Sequence, residues 1–393
     1  MCSEAPASNG EARRLAAAAG LVHVVDTLPG IRRRRVGRSF IYFDMRQRRI
    51  RAAKVLDRIR KLAIPPAYTD VWICPHPRGH LQATGRDARG RKQYRYHGDW
   101  RATRDDGKFL RLVRFGERLP HLRRIVRRDL ALRGLPEAKV LAVIVSLLAE
   151  TGIRIGNEEY ARQNGSYGLT TLRDRHVTFL RQGRAVLRFR GKSGQAHEAR
   201  VDDARLVRLI RRCQQLPGQM LFQYIDDEGK RRPVDSGMVN DYLRNAMGEA
   251  FTAKDFRTWG GTLNAIARLA RTPVPVGGDD RELASVAANV VREVAECLRN
   301  TPAVCRSSYI DPCVFDAWRA GRLHAIVPAA AAGTSRRLEA LALKLLRRER
   351  AAQKRVGNGA RRQRKSSGIS RASGAASRRG ARAALRFSRA AAG

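Results

Sequence analysis

Acidic residues are scarce in this chain: 36 Asp and Glu stand against 79 Lys and Arg, which leaves a net charge of +43 over 393 residues. A surface so short of negative charge repels itself unless a polyanion neutralises it. Nucleic acid suits that need, because each neutralised phosphate releases a condensed counterion. Long apolar runs are missing too. Nothing approaches the ~20 residues of a membrane span, and there is no long basic amphipathic helix to lie on an anionic lipid surface. The apolar stretch Leu15–Val25 is short, contains His23 and runs straight into Asp26-Thr-Leu-Pro-Gly30, which does not fit a secretory signal. The chain is therefore expected in the cytoplasm, with no membrane partner. The cysteines, Cys2, Cys74, Cys213, Cys297, Cys305 and Cys313, form no C-x-x-C pair, and no histidine stands at zinc-ligand spacing. Neither a disulfide framework nor a metal site is expected.

What is there reads as an α+β chain in several parts. Residues 1–20 are small and Ala-rich, a flexible leader. Residues 21–105 are β-rich. Phe40-Ile-Tyr-Phe43, preceded by the run Arg32–Arg35, reads as a strand that turns back around Met45–Arg49, and Val71-Trp-Ile-Cys74 is another. His80–Gly85 and Gln93–His97 flank a basic loop containing glycine. Val55–Leu62 is a short helix stopped by Pro65-Pro66. Residues 106–330 turn to helical spacing. Val140, Leu141, Val143, Ile144, Leu147 and Leu148 line one side of a helix; Leu283, Val286, Ala287, Val290, Val291, Val294 and Leu298 line a second. Between them Thr170–Val177, Ala185–Arg190 and Glu198–Val201 predict a small three-stranded sheet. Residues 331–393 read as a basic tail, largely disordered from 351, where twelve Lys/Arg and no Asp or Glu sit among Ala, Gly and Ser. Such a tail adds sequence-blind affinity for DNA.

Five short segments carry the chemistry. Arg154 is flanked by Ile153 and Ile155 after the first helix, and an unpaired charge in so apolar a setting is costly. A structural salt bridge to Glu158 is its bland alternative. Phe189-Arg-Gly-Lys192-Ser-Gly194 is a glycine-bracketed turn at a strand end; Gly191 and Gly194 admit close approach of a ligand. Lys254 and Arg257 lie three apart, hence on one helical face. Asn300 follows the second helix, and Tyr309 follows nine residues later. Together they supply two arginines, two lysines, an amide and a tyrosine. That set suits displacement at a phosphodiester. The cations and the amide stabilise charge growing on the phosphate oxygens, a lysine protonates the leaving sugar oxygen, and tyrosine stores the bond as a covalent ester.

These segments, with Ala63–Ile73, Gly79–His97, Ile153–Tyr160 and Ser166–Leu172, occur in an order and spacing that resembles the poxvirus-like and bacterial type IB DNA topoisomerases over roughly residues 28–325. The resemblance implies the catalytic fold shared by tyrosine recombinases and type IB topoisomerases. It implies relaxation of supercoiled DNA through a 3′-phosphotyrosyl intermediate, strand rotation and religation, with no ATP, metal or other cofactor. By the same resemblance Tyr309 is the nucleophile, Arg154 and Arg257 clamp the scissile phosphate, Lys192 is the general acid and Lys254 supports it. Asn300 stands where the viral pattern has histidine, as in bacterial members; it can hold a phosphate oxygen but cannot titrate. Arg91, Gln93, Tyr94, Tyr96 and Tyr160 fall on DNA-contacting positions. A nucleoid-associated monomer that clamps double-stranded DNA is implied. Two other readings share the charge: a tyrosine site-specific recombinase, which typically has H-x-x-R where this chain has Lys254-x-x-Arg257 and lacks the Arg86–His97 stretch, and a non-enzymatic basic nucleoid-binding protein.

Overall fold

The computed structural model describes residues 9–353 and 355, except residues 89, 276, 334 and 335. The chain divides into two compact units, residues 1–110 and 111–393. In the first, α1 (Asn9–Ala18) is followed by β1 (Ile31–Val36), β2 (Ser39–Phe43), α2 (Ala53–Lys61), β3 (Thr69–Ile73), β4 (Leu81–Arg86) and β5 (Lys92–Tyr96). The strands pair antiparallel in the order β2-β1-β3-β4-β5. Strand alternation puts Val71 and Ile73 on one face, where they pack with Ile31, Ala83 and Ile59 of α2. Trp72 points the other way, to Cys74 and Leu81. Leu81 and Ala83 serve different clusters because the β4–β5 register shifts between them.

Two expectations for this unit change. The arginine run is itself a strand, β1, paired on both sides. Arg33 is held there by the carbonyls of Ile64, Pro65 and Tyr68 at 3.3, 3.1 and 2.6 Å and by the face of Phe40 at 4.2 Å. Its long stem and neutral acceptors let a charged residue serve in a sheet. The hairpin turn thus falls between β1 and β2, and the turn at Met45–Arg49 adds only a bridge from Phe43 to Arg49. The Ala-rich leader is helical from Asn9 to Ala18. So short a helix is marginal alone; Ala16, packed with Leu21 and Trp100, holds it. Residues 1–8 lie outside the described residues.

Helix α3 (Gly98–Leu130) carries the chain into the second unit, where α4 (Glu137–Thr151) forms the central rod. Val140 through Val145, Leu147 and Leu148 are all buried, so α4 is covered all round rather than along one side. Then come α5 (Glu158–Asn164), a sheet in the order β6 (Val177–Phe179), β7 (Ala185–Arg190), β8 (Ala196–Val201), and α6 (Ala204–Gln214). The sheet has the expected number of strands, but its first is shorter: Leu169–Thr171 and Asp174–His176 are 3-10 turns. The N–H groups of Leu169 and Thr170 bond the carbonyls of Arg154 and Ile155, at 2.9 and 2.7 Å, instead of a neighbouring strand. A short ribbon of β9 (Gln223–Ile225) and β10 (Arg231–Pro233) leads to α7 (Ser236–Met247), α8 (Ala253–Ala270), α9 (Asp280–Leu298), α10 (Pro302–Ser308), α11 (Cys313–Arg319) and α12 (Arg322–Ile326).

The expected basic tail from 331 is corrected in its first part, since residues 336–353 form a helix, α13. Leu338, Ala342, Leu345 and Leu346 are buried at helical spacing. Four ion pairs fasten it: Glu339 to Arg123, Arg347 to Glu117, Glu349 to Arg322 and Arg350 to Asp311. The high charge of this stretch hid the apolar stripe. Residues 354 and 356–393, most of the stretch expected to be disordered, lie outside the described residues.

The Arg350–Asp311 pair is buried, with side chains 13% and 1% exposed. Truncating one partner strands the other charge, which costs ~3–5 kcal/mol, whereas an exposed pair contributes ~0–1 kcal/mol. Arg350→Ala is expected to lower unfolding free energy in denaturant titrations by the larger amount and Arg347→Ala by the smaller. Equal losses would show that α13 is held by its leucines alone.

Candidate active site

Arg257 is the most buried arginine of the candidate set, 3% exposed in the second turn of α8. Its two terminal nitrogens donate to the carbonyl of Gly152 and, at 2.8 Å, to the carbonyl of Leu298. Gly152 caps the C-terminus of α4 and Leu298 is the last residue of α9. Both are helix ends, where carbonyls lack intrahelical partners and the partial charge is negative. One guanidinium thus satisfies two helix termini, and their dipoles offset the cost of burying it. Each terminal nitrogen keeps a second N–H, and the buried Nε has no partner among the described residues.

The chain leaving each helix end carries a candidate side chain. After α4, Gly152 is left-handed (φ 61°) and starts the loop to Arg154. Gly156 (φ 107°) and Gly168 pack backbone against backbone; a Cβ on Gly168 would stand 2.6 Å from the Arg154 carbonyl. After α9, Arg299 is left-handed (φ 50°) and the N–H of Asn300 reaches back to the Ala295 carbonyl at 2.9 Å, a Schellman-type closure. Arg154 then donates to the side-chain oxygen of Asn300, and Asn300 Nδ2 donates to the Leu298 carbonyl at 3.3 Å. Arg154 therefore turns across to Asn300.

Tyr309 closes α10. Thr301 accepts from the Val304 N–H at 3.4 Å at its start, with Pro302 in the first turn. The tyrosine is buried, with its ring centroid 5.0 Å from the Arg257 guanidinium carbon. Its backbone is pressed onto α8: a Cβ on Gly261 would stand 2.6 Å from the Tyr309 carbonyl and 3.1 Å from its Cβ. The buried Thr262 hydroxyl donates to that carbonyl and accepts from the Asp311 N–H, both at 3.2 Å. Gly261 and Thr262 were not singled out from sequence; the Trp259-Gly-Gly-Thr262 run, small residues in mid-helix, was their only signal.

Lys192 is exposed on the turn from β7 to β8, and Lys254 lies in the first turn of α8, three residues before Arg257. The Lys192 turn is tied to the Arg154 segment through the Tyr167 N–H, which bonds the Arg190 carbonyl at 2.8 Å. Gly191 departs from expectation. Its missing side chain makes room for the ring of His197, not for a ligand. His197, five residues after Lys192, pairs across the sheet with Phe189 and stacks on it, with ring centroids 5.0 Å apart and planes 9° from parallel. Burial pushes its pKa down to about 4, and the charges of Arg154, Arg257 and Arg299 act in the same direction. A neutral imidazole beside the arginines was missed in the sequence, because only folding brings β8 near α8 and α9.

Of the candidate DNA contacts, Tyr160 is exposed on α5. In the first unit Arg91 pairs with Asp87 at 2.8 Å, Gln93 donates to the same carboxylate at 3.0 Å, and the Tyr94 and Tyr96 rings stack with centroids 6.0 Å apart. No group of three His, Cys, Asp or Glu placed to hold a metal occurs among the described residues, nor any helix long and apolar enough to cross a membrane.

Comparison with known proteins adds two family matches. The eukaryotic DNA topoisomerase I catalytic core matches residues 97–312, and the bacterial DNA topoisomerase IB N-terminal domain matches residues 39–87. The chain is also 35% identical over 288 residues to the DNA topoisomerase 1B of Acanthamoeba polyphaga mimivirus, covering 72% of this chain and 85% of that protein.

Gly261→Ala is expected to push α10 off α8 and slow formation of any Tyr309 adduct by up to about 10²-fold, the scale of a displacement near 1 Å. A normal rate in a single-turnover assay would separate the α8–α10 contact from function. His197 makes a pH prediction. The unfolded histidine binds its proton below about 6.5, whereas the folded one resists until about 4. Its contribution to stability is therefore intact above 6.5 and is lost as pH falls from there to about 4. His197→Phe, which keeps a ring on Phe189, should make unfolding free energy fall less between pH 7 and pH 4.5 than in the parent. An unchanged fall would place the acid sensitivity elsewhere.

Proposed function

The chain belongs to the type IB DNA topoisomerases, isomerases that act on DNA by breaking and rejoining one strand, and from that premise we propose that Tyr309 is its nucleophile and that Arg154, Arg257, Asn300, Lys192 and Lys254 serve the reaction. The observation that supports this reading best is the Arg257 guanidinium, fixed on two helix termini 5.0 Å from the Tyr309 ring, with Arg154 and Asn300 joined at the same helix ends.

In this reading the Tyr309 phenol gives its proton to water and its oxygen attacks the scissile phosphorus. The new P–O bond to tyrosine forms as the bond from phosphorus to the 5′-oxygen breaks, and Lys192 gives that oxygen a proton, to be restored from water. Lys254, on the first turn of α8, adds positive charge to the same step. Arg154 and Arg257 offer N–H groups to the non-bridging oxygens, whose charge grows in the transition state. Asn300 carries an amide hydrogen beyond the one given to Leu298, so it can hold a phosphate oxygen without transferring a proton. One phosphodiester replaces another, so no external energy source enters the balance. Attack by the freed 5′-hydroxyl reverses the step after the strand has rotated. His197, kept neutral beside the arginines, adds no charge to the phosphate pocket and supports the turn that bears Lys192.

Tyr160 and, in the first unit, Arg91, Gln93, Tyr94 and Tyr96 are proposed to contact the duplex, with a single chain per site and the protein held on the nucleoid by its charge. The asparagine at 300 suits holding rather than titration, so the Asn300 step should carry no pH dependence of its own.

With supercoiled plasmid, EDTA and no ATP, the parent should relax DNA in single-linkage steps. Tyr309→Phe should bind DNA normally and form no covalent adduct, and Arg154→Ala or Arg257→Ala should slow cleavage by about 10²–10³ each. An adduct that persists in Tyr309→Phe would move the nucleophile elsewhere. Salt supplies a further check. With ~6–10 phosphates neutralised, affinity should fall ~10³–10⁵-fold between 50 and 200 mM salt. Removing residues 356–393, beyond the α13 latch, should flatten that slope and spare cleavage; an unchanged slope would mean the tail does not touch DNA.

A further inference from the structure

We propose that the first unit carries a second anion site, an open pocket that binds a phosphoryl group independently of the tyrosine chemistry. The pocket is a cleft of about 550 Å³ where the C-terminal end of α2 meets β4, β5 and the start of α3. Arg58 and Lys61 of α2, Arg95 of β5 and Arg101 of α3 all line it. None of the four forms an ion pair with a carboxylate among the described residues. Elsewhere in this unit Arg48, Arg60, Arg86, Arg91 and Lys92 each pair with an aspartate at 2.5–3.4 Å; what sets the pocket apart is that four cations without such a pair converge on one cleft. Asp99, near the rim, faces His97 at 3.7 Å.

The pocket is also built rather than merely charged. Buried Gln82 forms its floor, with its amide nitrogen bonded to the carbonyls of His76, Pro77 and Gly79 at 3.3, 3.0 and 2.7 Å. The amide oxygen is thereby aimed at Arg58, which donates to it at 2.7 Å and to the Cys74 carbonyl at 2.7 Å. Arg58 is thus fixed by neutral acceptors only, and burial disfavours its charge. Arg95 gives one bond to the Ala63 carbonyl at 3.1 Å, while its Nε is buried with no partner among the described residues. Arg58 and Arg95, oriented in advance and partly dehydrated, gain most from a multivalent oxyanion, because charge-assisted bonds to it are about twice as strong as neutral ones, and exposed Lys61 and Arg101 add charge at the mouth.

The position of Arg95 separates this site from the proposed duplex contact at Tyr94. Side chains alternate along a strand, so Arg95 leaves β5 on the opposite face from exposed Tyr94, while Tyr96, at the register shift, borders the pocket as well. A DNA segment read by Tyr94 does not present the same phosphates to Arg95. The phosphoryl group comes from a free phosphate compound or from the backbone of a second DNA segment; the chemistry is shared and the experiment tells the sources apart.

The test uses the full chain in a Tyr309→Phe background, so that DNA stays intact. Lys61→Ala with Arg101→Ala removes two exposed pocket cations. Arg205→Ala with Arg208→Ala on α6, also exposed, removes the same charge elsewhere and is the control. Pyrophosphate is titrated calorimetrically at fixed ionic strength, and a short duplex is titrated past the first equivalent. The pocket variant should bind pyrophosphate at least about tenfold more weakly than parent and control, the scale of losing one bond to a charged group, which assigns a free phosphate compound. Weakening confined to the second duplex equivalent also supports the pocket and assigns the DNA backbone. Equal weakening in the control, or none in either titration, overturns the proposal. Adduct formation measured with Tyr309 restored is expected to be unchanged in the pocket variant, so failure here is distinguishable from failure of the tyrosine assignment.

Discussion

A buried guanidinium must find acceptors or pay a desolvation penalty of several kcal/mol, and in this protein Arg257 finds them at two helix ends. The C-termini of α4 and α9 each bring carbonyls without intrahelical partners and a negative partial charge. Left alone, two such ends close together would repel. Arg257 bonds one carbonyl of each, Gly152 and Leu298, and so makes the convergence favourable. The chain emerging from one end reaches Arg154 and from the other reaches Asn300, and these two bond to each other. The geometry of the cationic cluster is therefore a consequence of where two helices stop. The same guanidinium lies against the Tyr309 ring, so the group that holds the scaffold together also sets the electrostatic environment of the tyrosine. Donors held this way need not reorganise as charge develops on a substrate, which is what the proposed roles of Arg154 and Arg257 require.

The tyrosine has its own backbone support. Gly261 lets the α10 terminus sit directly on α8, and the Thr262 hydroxyl bridges the backbones of Tyr309 and Asp311. Asp311 in turn caps the Cys313 N–H at 3.1 Å and accepts from Arg350 of α13. A residue 41 positions after the tyrosine thus helps fix the turn that follows it. This arrangement explains why the strongly basic segment 336–353 is helical: its acids and two of its arginines are used in specific pairs, and Leu338, Leu345 and Leu346 are buried.

The excess of positive charge is handled in three ways. Some arginines are neutralised by the few acids available, such as Arg91 by Asp87. Others, such as Arg33 and Arg58, are held by backbone carbonyls or amides and keep their charge. The remainder face solvent, where a DNA polyanion would release counterions on binding. The second group suits recognition best, because its members are positioned in advance by neutral acceptors and pair with no carboxylate among the described residues.

By itself the sequence determined the class of chemistry and the outline of the fold. A tyrosine, arginines, lysines and an amide in a cationic chain pointed to a phosphodiester, the order of the motifs pointed to the family, and period-2 and period-3.6 patterns located β3, β4, β5, β7, β8, α4 and α9, since those signals are local. The tertiary structure alone decided what depends on distant partners. Arg32–Arg35 becomes a strand because carbonyls from residues 64–68 receive Arg33. Residues 169–171 become a 3-10 turn because the N–H groups of Leu169 and Thr170 are taken by the Arg154 loop. The leader and the start of the tail become helices because Trp100 and Asp311, far away in sequence, receive them. His197 and Thr262 join the site for the same reason. A buried charge or an orphan carbonyl is satisfied by whatever group the fold brings within 3 Å or so, and no window of sequence contains both halves of such a bond.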